Sequence, residues 1–257
     1  MDLKTLRETF FPEKLTCSLC RREIFGDSPF CKDCLDALPR NDGAICDHCG
    51  RKTSARVSYC DSCREKNLSF DVARSPFLYE PPVSYALQKL KYDNAKYFAR
   101  DFAPELVRTY LAEFWTCDAV VFTPMTGKRE KKRGYNQAKL LAEAFSERTG
   151  IPLQTDVLYK KRETESQVGM TQKERFINLS GSFGVRHSRE IAGKNVLLVD
   201  DVLTTGATAE CCAAALRRAG AERVCVLTVA SVPDRSARTL RESGDPAEDP
   251  RGEATVS

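Results

Sequence analysis

Three features are missing from this 257-residue sequence, and each absence argues against a class of protein. No run of eighteen or more apolar residues is present, so a membrane-spanning helix is not predicted. The amino terminus lacks a basic segment followed by an apolar one, so a signal peptide is not predicted either. The net charge is only +4, which by itself is too small to indicate nucleic-acid binding. The default expectation is a cytoplasmic protein without a membrane span.

Cysteine, in contrast, is abundant, with twelve residues. In a secreted protein this number would suggest disulfides, but in a reducing compartment cysteines spaced two residues apart point to a metal. Each cysteine of a second set lies 29 residues after its counterpart in a first set, so the segment is an internal repeat. The two sets are Cys17, Cys20, Cys31 and Cys34, followed by Cys46, Cys49, Cys60 and Cys63.

Each set offers four thiolates, which suffice for one closed tetrahedral Zn²⁺ site. Because the spacing repeats as a unit, we expect two sequential sites rather than interleaved ones. Few apolar residues lie between the cysteines, so the metal should supply much of the folding free energy. Four protein ligands leave no open position, which makes the predicted zinc structural. His48 is expected to lie beside its site rather than to bind the metal.

Basic residues accompany the cysteines and leave two interpretations open. They would suit a nucleic-acid backbone, or they would equally serve as solvated charges that offset two negative metal centres. These residues are Arg21, Arg22, Lys32, Arg51, Lys52, Arg56 and Arg64. Before them, apolar residues recur at near-helical spacing ahead of Pro12, which predicts one short amphipathic helix. These residues are Leu3, Leu6, Phe10 and Phe11.

A second site is predicted where a buried strand over residues 196–199 ends. Asp200 and Asp201 follow it, and because buried carboxylates are costly without partners, they should face a metal or hydroxyl donors in a cleft. Hydroxyls, a glycine and a predicted helix start then combine in a loop suited to a phosphate. The loop residues are Thr204, Thr205, Gly206, Ala207 and Thr208.

Acids for sugar hydroxyls and amides for a phosphate together describe a ribose 5-phosphate site. No Gly-Lys-Ser/Thr follows the glycine, which distinguishes the segment from a P-loop. The alternative is a strand, a turn and a capped helix with incidental acids.

A cation-rich loop follows another predicted buried strand, over residues 118–123. The loop, residues 124–137, would suit a pyrophosphate, which needs several Lys or Arg partners and backbone amides. An exposed basic loop without a ligand is the alternative. Lys91 ends a predicted helix over residues 83–92, where a lysine that faces solvent is the default interpretation.

Residues 196–208 resemble the phosphoribosyl diphosphate (PRPP) signature of type I phosphoribosyltransferases. Further motifs extend the resemblance to the ComF family, phosphoribosyltransferase-like proteins that are related to ComFC and GntX and linked to natural competence and DNA uptake. In chain order these motifs are the cysteine ribbon, Leu-Lys-Tyr at 90–92, Arg-Gly-Tyr-Asn-Gln at 133–137, Thr164 with Gln167, Glu174 and Arg175 with Asn178, and Phe183.

The resemblance implies a PRPP site with Mg²⁺. Asp200 and Asp201 would meet the ribose hydroxyls, and residues 204–208 would hold the 5-phosphate. The pyrophosphate would be held by Thr126, Lys128, Arg129, Arg133, Asn136 and Gln137. The border of the site would be formed by Lys91, Gln167, Arg175 and Asn178.

Strands that alternate with helices, with site loops at strand carboxyl ends, predict an α/β fold with a doubly wound, mainly parallel sheet. We expect an amino-terminal module with a helix and a double zinc ribbon over residues 1–67, the phosphoribosyltransferase-like domain over 68–233, and a disordered tail over 234–257. The tail contains too few apolar residues to order itself.

Two classes of function remain open on the sequence. One is a PRPP-binding protein, enzymatic if it transfers a pentosyl group, although neither a base-binding element nor a general base is recognisable. The other is a non-catalytic accessory factor, in which the ribbons and basic loops hold single-stranded DNA while Tyr135 stacks on a base. A related alternative is an adaptor whose ribbons bind a competence helicase or channel protein.

Overall fold

The computed structural model describes residues 16–26, 28–64, 69–161, 179 and 181–234. The predicted amino-terminal helix and the predicted tail after Asp234 lie outside these ranges. So do three of the predicted border residues, Gln167, Arg175 and Asn178.

Strands and helices alternate along most of the described chain, as predicted. The strands are β1 (Val72–Arg74), β2 (Phe77–Leu78), β3 (Ala119–Phe122), β4 (Leu158–Lys160), β5 (Phe183–Val185), β6 (Asn195–Leu203) and β7 (Arg223–Ser231). The helices are α1 (Lys32–Asp36), α2 (Asp61–Arg64), α3 (Val83–Tyr92), α4 (Tyr97–Ala112), α5 (Gly127–Arg133), α6 (Gln137–Thr149) and α7 (Ala207–Arg218), and one 3₁₀ turn covers Ser188–Glu190.

The main sheet is parallel throughout. Its order is β1, β7, β6 and β3, and β2 continues along the same edge of β7 as β1. Pro76 lies between β1 and β2, and because proline has no amide hydrogen it interrupts the ladder there. A separate antiparallel pair joins β4 to β5.

Helices cover both faces of this sheet. Alternate residues of β6 point to opposite sides, so Leu197 and Val199 pack into a core with α3, α4 and α6. Val196 and Leu198 pack into a second core with α7 and β5. The predicted doubly wound α/β architecture is therefore confirmed.

Two local structures differ from the prediction. The strand expected to end before the acidic pair runs on to Leu203, because β7 pairs with it as far as Ser231. Asp200 and Asp201 therefore lie within the strand, with Asp200 in register with Thr228. The basic segment after β3 contains the helix α5, which ends at Gly134 with φ +83°.

The two zinc ribbons repeat the same backbone contacts 29 residues apart. The amide of Cys31 donates to the Sγ of Cys17 at 3.3 Å, and the amide of Cys60 donates to the Sγ of Cys46 at 3.2 Å. The residue that follows each first pair is left-handed, with φ +66° at Arg21 and +65° at Gly50. The sequence repeat is thus also a structural repeat.

The second ribbon is part of the framework of the sheet. The Ala73 amide of β1 donates to the carbonyl of His48 at 2.8 Å. A Cβ atom on Gly50 would lie 2.4 Å from the Ala73 carbonyl oxygen, so only glycine permits this approach. Arg51 pairs with Asp234 at 3.2 Å, and both side chains are buried. The Ser62 hydroxyl donates to the same carboxylate at 2.7 Å, which ties this ribbon to the segment after β7.

Candidate functional site

A cleft of about 840 Å³ opens at the carboxyl ends of β3 and β6. Parallel α/β sheets bind ligands at this edge, because the loops that leave the strands converge there. The end of α3, the segment after β3, α5 and the β4–β5 pair also contribute to its walls. The predicted site residues that line it are Lys91, Thr126, Arg129, Arg133, Gln137, Asp200, Asp201, Thr204 and Thr208.

The acidic pair at the base of the cleft is bound to a lysine. The Lys91 ammonium forms an ion pair with the Asp201 carboxylate, and the two side chains are 21% and 8% exposed. Lys91 therefore faces the cleft, and its default interpretation as a solvent-facing lysine was wrong. Burial alone would lower the pKa of Lys91, but the attraction of Asp201 outweighs it and raises that pKa above the ordinary value.

The pKa values of the two carboxyl groups are shifted in opposite directions. Burial and the negative charge of Asp201 raise the pKa of Asp200 to about 8. Burial would also raise the pKa of Asp201, but the Lys91 charge and hydrogen bond hold it below its ordinary value. At neutral pH these shifts favour the protonated form of Asp200 and the ionised form of Asp201. The pair can offer one hydrogen-bond donor as well as acceptors to a ligand.

The threonine-rich loop turns directly into α7. Gly206 is left-handed, with φ +77°, and immediately precedes the first helical residue. The Thr205 hydroxyl accepts a hydrogen bond from the Ala207 amide at 3.4 Å, while Thr204 and Thr208 line the cleft. Because the first amides of a helix lack partners within it, the loop presents hydroxyl and amide donors together.

The predicted pyrophosphate residues divide into two groups. Arg129, Arg133 and Gln137 line the cleft. Lys128 is exposed and lies outside the lining, and Asn136 is used by the fold, since it accepts from the Ala138 amide at 2.9 Å and donates to the Thr123 carbonyl at 3.0 Å. Lys128 and Arg129 are neighbours on the short helix α5, and their side chains point in different directions. The sequence alone does not reveal which of the two faces the cleft.

Thr126 has a different environment from the cations around it. It lines the cleft and is only 6% exposed, and its hydroxyl has no hydrogen-bond partner among the described residues. A buried hydroxyl without a partner is costly, and a ligand oxygen would remove that cost.

Two cations of the cleft were not named individually among the predicted site residues, although one of them lies within the predicted basic loop 124–137. Lys132 lies on α5 beside residues that were predicted, and Lys160 is contributed by β4. The Lys160 ammonium lies 5.5 Å from the centre of the Phe183 ring, which also lines the cleft. Lys160 begins the short basic run 160–162, but only the β4–β5 pairing brings that strand to the site.

Tyr135 does not fit its predicted role in base stacking. It is 8% exposed, its hydroxyl donates to the Leu90 carbonyl, and the Lys96 ammonium lies 4.8 Å from its ring centre. Tyr135 therefore links α3 to the start of α6, and its ring is unavailable to a base.

Each predicted zinc set comes together in space. In both sets the four sulfur atoms lie within 4.8 Å of one another, in the sequential grouping that was predicted. Sulfur atoms 3.7 Å apart, as in Cys20 with Cys31 and Cys49 with Cys60, match the separation of about 3.8 Å in a tetrahedron with Zn–S bonds of about 2.3 Å. The two four-cysteine sets thus support structural zinc.

Carboxylates neutralise most of the basic residues in the ribbons. Five of the seven basic residues that the sequence analysis named in this module form ion pairs, and the Arg51 pair is buried. The five pairs are Arg22–Asp33, Lys32–Asp36, Arg51–Asp234, Arg56–Asp47 and Arg64–Asp61. This pattern favours the interpretation as balanced surface and framework charge over a continuous phosphate-binding face.

None of the helices in the described ranges has both the length and the apolar character that crossing a bilayer requires.

Comparison with known families defines the class of protein. A family model for a phosphoribosyl transferase domain matches residues 130–248, and one for a double zinc ribbon domain matches residues 6–64. The chain therefore joins a double zinc ribbon to a phosphoribosyltransferase-type domain, as the fold and the two cysteine clusters indicate.

Curated relatives match this chain over most of their own length. Competence protein F of Haemophilus influenzae is 29% identical over 218 residues, covering 81% of this chain and 93% of the relative. DNA utilization protein YhgH of Escherichia coli (strain K12) is 28% identical over 214 residues, covering 81% and 93%. Competence protein ComFC of Bacillus subtilis (strain 168) is 28% identical over 217 residues, covering 76% and 85%. These matches confirm the resemblance to the ComF family.

Proposed function

We propose that the cleft binds PRPP together with Mg²⁺. Asp200 and Asp201 form hydrogen bonds with the ribose hydroxyls, the loop 204–208 holds the 5-phosphate, and Thr126 with the cations of the opposite wall holds the pyrophosphate. The observation that carries this proposal is the meeting of three ligand chemistries in one cleft: paired acids, a phosphate loop, and a buried hydroxyl without a partner.

The charge of the cleft supports an anionic ligand. Lys91 balances Asp201, and Asp200 is protonated at neutral pH. Arg129, Lys132, Arg133 and Lys160 also line the cleft, so the part of its lining that the structure describes has more basic than acidic side chains. Such a site attracts a pyrophosphate and stabilises it through charge-assisted hydrogen bonds.

Mg²⁺ would reach this site with its ligand rather than ahead of it. The ion prefers oxygen ligands and usually binds through one or two carboxylates and substrate phosphates. The acidic pair would suit it, but in the ligand-free protein one carboxyl group is protonated and the other is paired with Lys91. We therefore expect weak binding of Mg²⁺ alone.

Transfer of the pentosyl group would use the same contacts. Pyrophosphate would leave the ribose through a cationic ribosyl transition state. The basic wall stabilises the charge that develops on the leaving group, and the Asp201 carboxylate favours the cation. Release of pyrophosphate from PRPP in the presence of bases, amines or DNA measures whether this step occurs.

The biological role we propose is in DNA uptake or in the metabolism that follows it. This proposal rests on the names of the relatives, two of which are competence proteins and one a DNA utilization protein. Deletion of the gene should lower the yield of transformants or growth on DNA, and a copy with both acidic residues changed to asparagine should fail to restore it.

Isothermal titration with PRPP and Mg²⁺ tests the binding proposal directly. Wild-type protein should give a saturable heat, which Asp200→Asn with Asp201→Asn should abolish. Arg129→Ala should weaken binding, whereas Lys128→Ala, one position earlier and outside the cleft lining, should leave it unchanged. Equal heats from wild type and the double variant would refute the assignment of the acidic pair.

A further inference from the structure

One arginine of the second ribbon holds the chain that follows β7. Arg51 lies two residues after Cys49, and its side chain is only 6% exposed. Its Nε atom donates to the Val232 carbonyl at 2.8 Å, one terminal nitrogen donates to the Pro233 carbonyl at 3.0 Å, and the other pairs with Asp234 at 3.2 Å. The planar guanidinium has five donors, so one side chain fixes all three acceptors. The segment 232–234 is therefore bound to the ribbon.

This segment in turn holds the end of the strand from which the loop 204–208 leaves. The Val232 amide donates to the Leu203 carbonyl at 2.9 Å, directly after the last register pair of β6 and β7, Leu203 with Ser231. Leu203 is the last residue of β6, and Thr204 follows it. The contacts from Arg51 to Val232 and from Val232 to Leu203 thus end beside the first residue of the loop.

The far end of the loop also meets the second ribbon. Leu203 before the loop and Ala207 at its end pack into the same buried core as all four cysteines of the second set. In the first turn of α7, Glu210 accepts a hydrogen bond at 2.9 Å from the amide of Ser69, which lies between the ribbon and β1. Both ends of the loop are therefore fixed to the second ribbon or to the chain that leaves it.

The first ribbon packs elsewhere. Its Phe30 ring lies 5.8 Å from the ring of Phe102 on α4, centre to centre, and Cys17 and Phe30 belong to the core on the other face of the sheet. The two zinc sites thus differ in what they support: the second adjoins the loop 204–208, and the first adjoins α4.

We propose that Arg51 is a positioning residue for the loop 204–208, so that zinc in the second site and a phosphate in the loop stabilise each other. Loop donors bind a phosphate tightly only when they are held in a convergent geometry. Zinc supplies the folding free energy of the ribbon that carries Arg51. Because coupling between two binding sites is reciprocal, a ligand that fixes the loop also raises the affinity of the second site for zinc. This inference rests on the proposed function, which supplies the ligand of the loop.

Arg51→Lys tests the positioning role on the zinc-loaded, full-length protein. Lysine keeps a cation beside Asp234 but lacks the fork that reaches both carbonyls. Isothermal titration should show that the variant binds ribose 5-phosphate about fivefold more weakly than wild type or worse, while elemental analysis still finds two zinc ions per chain.

Arg74→Lys is the matched control. Arg74 is also largely buried and makes three contacts, to the Glu113 carboxylate at 2.7 Å and to the carbonyls of Asp47 and Ala73 at 2.9 and 2.8 Å. It connects the same ribbon to β1 instead of to the segment after β7. The affinity of Arg74→Lys for ribose 5-phosphate should equal that of wild type.

The coupling itself is measured through zinc. Cys34→Ser leaves the second site as the only complete four-cysteine set, and equilibrium competition with a chelator gives its zinc affinity with and without saturating ribose 5-phosphate. The sugar phosphate should raise that affinity about fivefold. Adding Arg51→Lys should remove the increase, and adding Arg74→Lys should retain it. An arginine that only stabilised the fold would change the zinc affinity equally with and without the ligand.

Two results would overturn this inference and leave the proposed function standing: equal ribose 5-phosphate affinity in wild type and Arg51→Lys, or a second-site zinc affinity that the sugar phosphate does not change. The zinc measurement on Cys34→Ser retains Arg51, so it decides the question even if Arg51→Lys does not fold. If the folded wild-type protein bound neither PRPP nor ribose 5-phosphate, both proposals would fall.

Discussion

Lys91 at the end of α3 and Asp201 within β6 form an ion pair at the base of the cleft. This contact gives two adjacent carboxyl groups different pKa values. It lowers the pKa of Asp201, whereas the pKa of Asp200 is raised to about 8. Opposite charge states in neighbouring acids are typical of sites that bind or transform a ligand. The pairing also brings a lysine from one side of the sheet to acids on a central strand.

Replacement of Lys91 by methionine should weaken the binding of PRPP by about tenfold or more. The change removes a cation from the cleft and leaves the buried Asp201 charge without its partner, which also destabilises the fold. Titration calorimetry measures the affinity, and Lys89→Met, an exposed lysine on the same helix, is the control. Unchanged or tighter binding by the Lys91 variant would contradict the role of the ion pair.

Asp200 should make the stability of the ligand-free protein depend on pH. Its pKa is about 8 in the folded state against an ordinary value of 3.8, so between these values the folded state holds a proton that the unfolded state releases. The contribution of this proton to the free energy of unfolding is complete below about pH 4 and is lost as pH rises through about 8. Over this range the free energy of unfolding falls by at most about 1.4 kcal/mol per pH unit.

The measurement compares wild type with Asp200→Asn by denaturant unfolding from pH 5 to 9, with the zinc sites loaded and in buffer without magnesium. The free energy of unfolding of the wild type should fall relative to that of the variant as pH rises to about 8. A constant difference between the two proteins would show that Asp200 does not titrate in this range.

Gly50→Ala should destabilise the protein by about 2–4 kcal/mol. The new methyl group would meet the Ala73 carbonyl oxygen at 2.4 Å, and alanine would be strained at φ +65°. Gly43→Ala separates the two effects, because Gly43 is also left-handed, with φ +77°, but has no atom within 4 Å of the new carbon. It should cost only about 1 kcal/mol. Equal losses in thermal or denaturant unfolding would show that the ribbon does not approach β1 so closely.

The Arg51–Asp234 pair should contribute far more to the free energy of unfolding than an exposed ion pair in the same ribbon. Asp234→Ala leaves the buried Arg51 charge without its carboxylate and should cost about 3–5 kcal/mol. Asp47→Ala, which breaks the exposed pair with Arg56, should cost about 1 kcal/mol or less. Chemical denaturation of both variants provides the comparison. Similar losses would argue that the second ribbon is not anchored to the segment after β7.

The two zinc sites should release their metal at different rates. All four cysteines of the second set are buried, whereas Cys20, Cys31 and Cys34 of the first set are half-buried, so a chelator reaches the first site more easily. Elemental analysis should find two zinc ions per chain, and release into a chelating dye should be biphasic. Cys34→Ser should remove the fast phase and Cys63→Ser the slow one; a single phase in the wild type would refute the asymmetry.

The sequence determined the cysteine sets, the fold class and the threonine-rich loop after β6. Each depends on spacing along the chain: pairs two residues apart, alternating strand and helix patterns, and a threonine-rich turn after a buried strand. Local geometry follows directly from such spacing, so the grouping of Cys17 with Cys34 and the position of Gly206 could be predicted without the structure.

Only the tertiary structure decided which side chains face the cleft. Lys91 and Asp201 are more than a hundred residues apart, and their ion pair depends on how α3 packs against the sheet. The burial of Tyr135 and the exposure of Tyr92 likewise depend on packing between helices, which the identity of a residue does not specify. Spacing along the chain fixes which elements form, whereas burial and contact between distant residues are properties of the assembled fold.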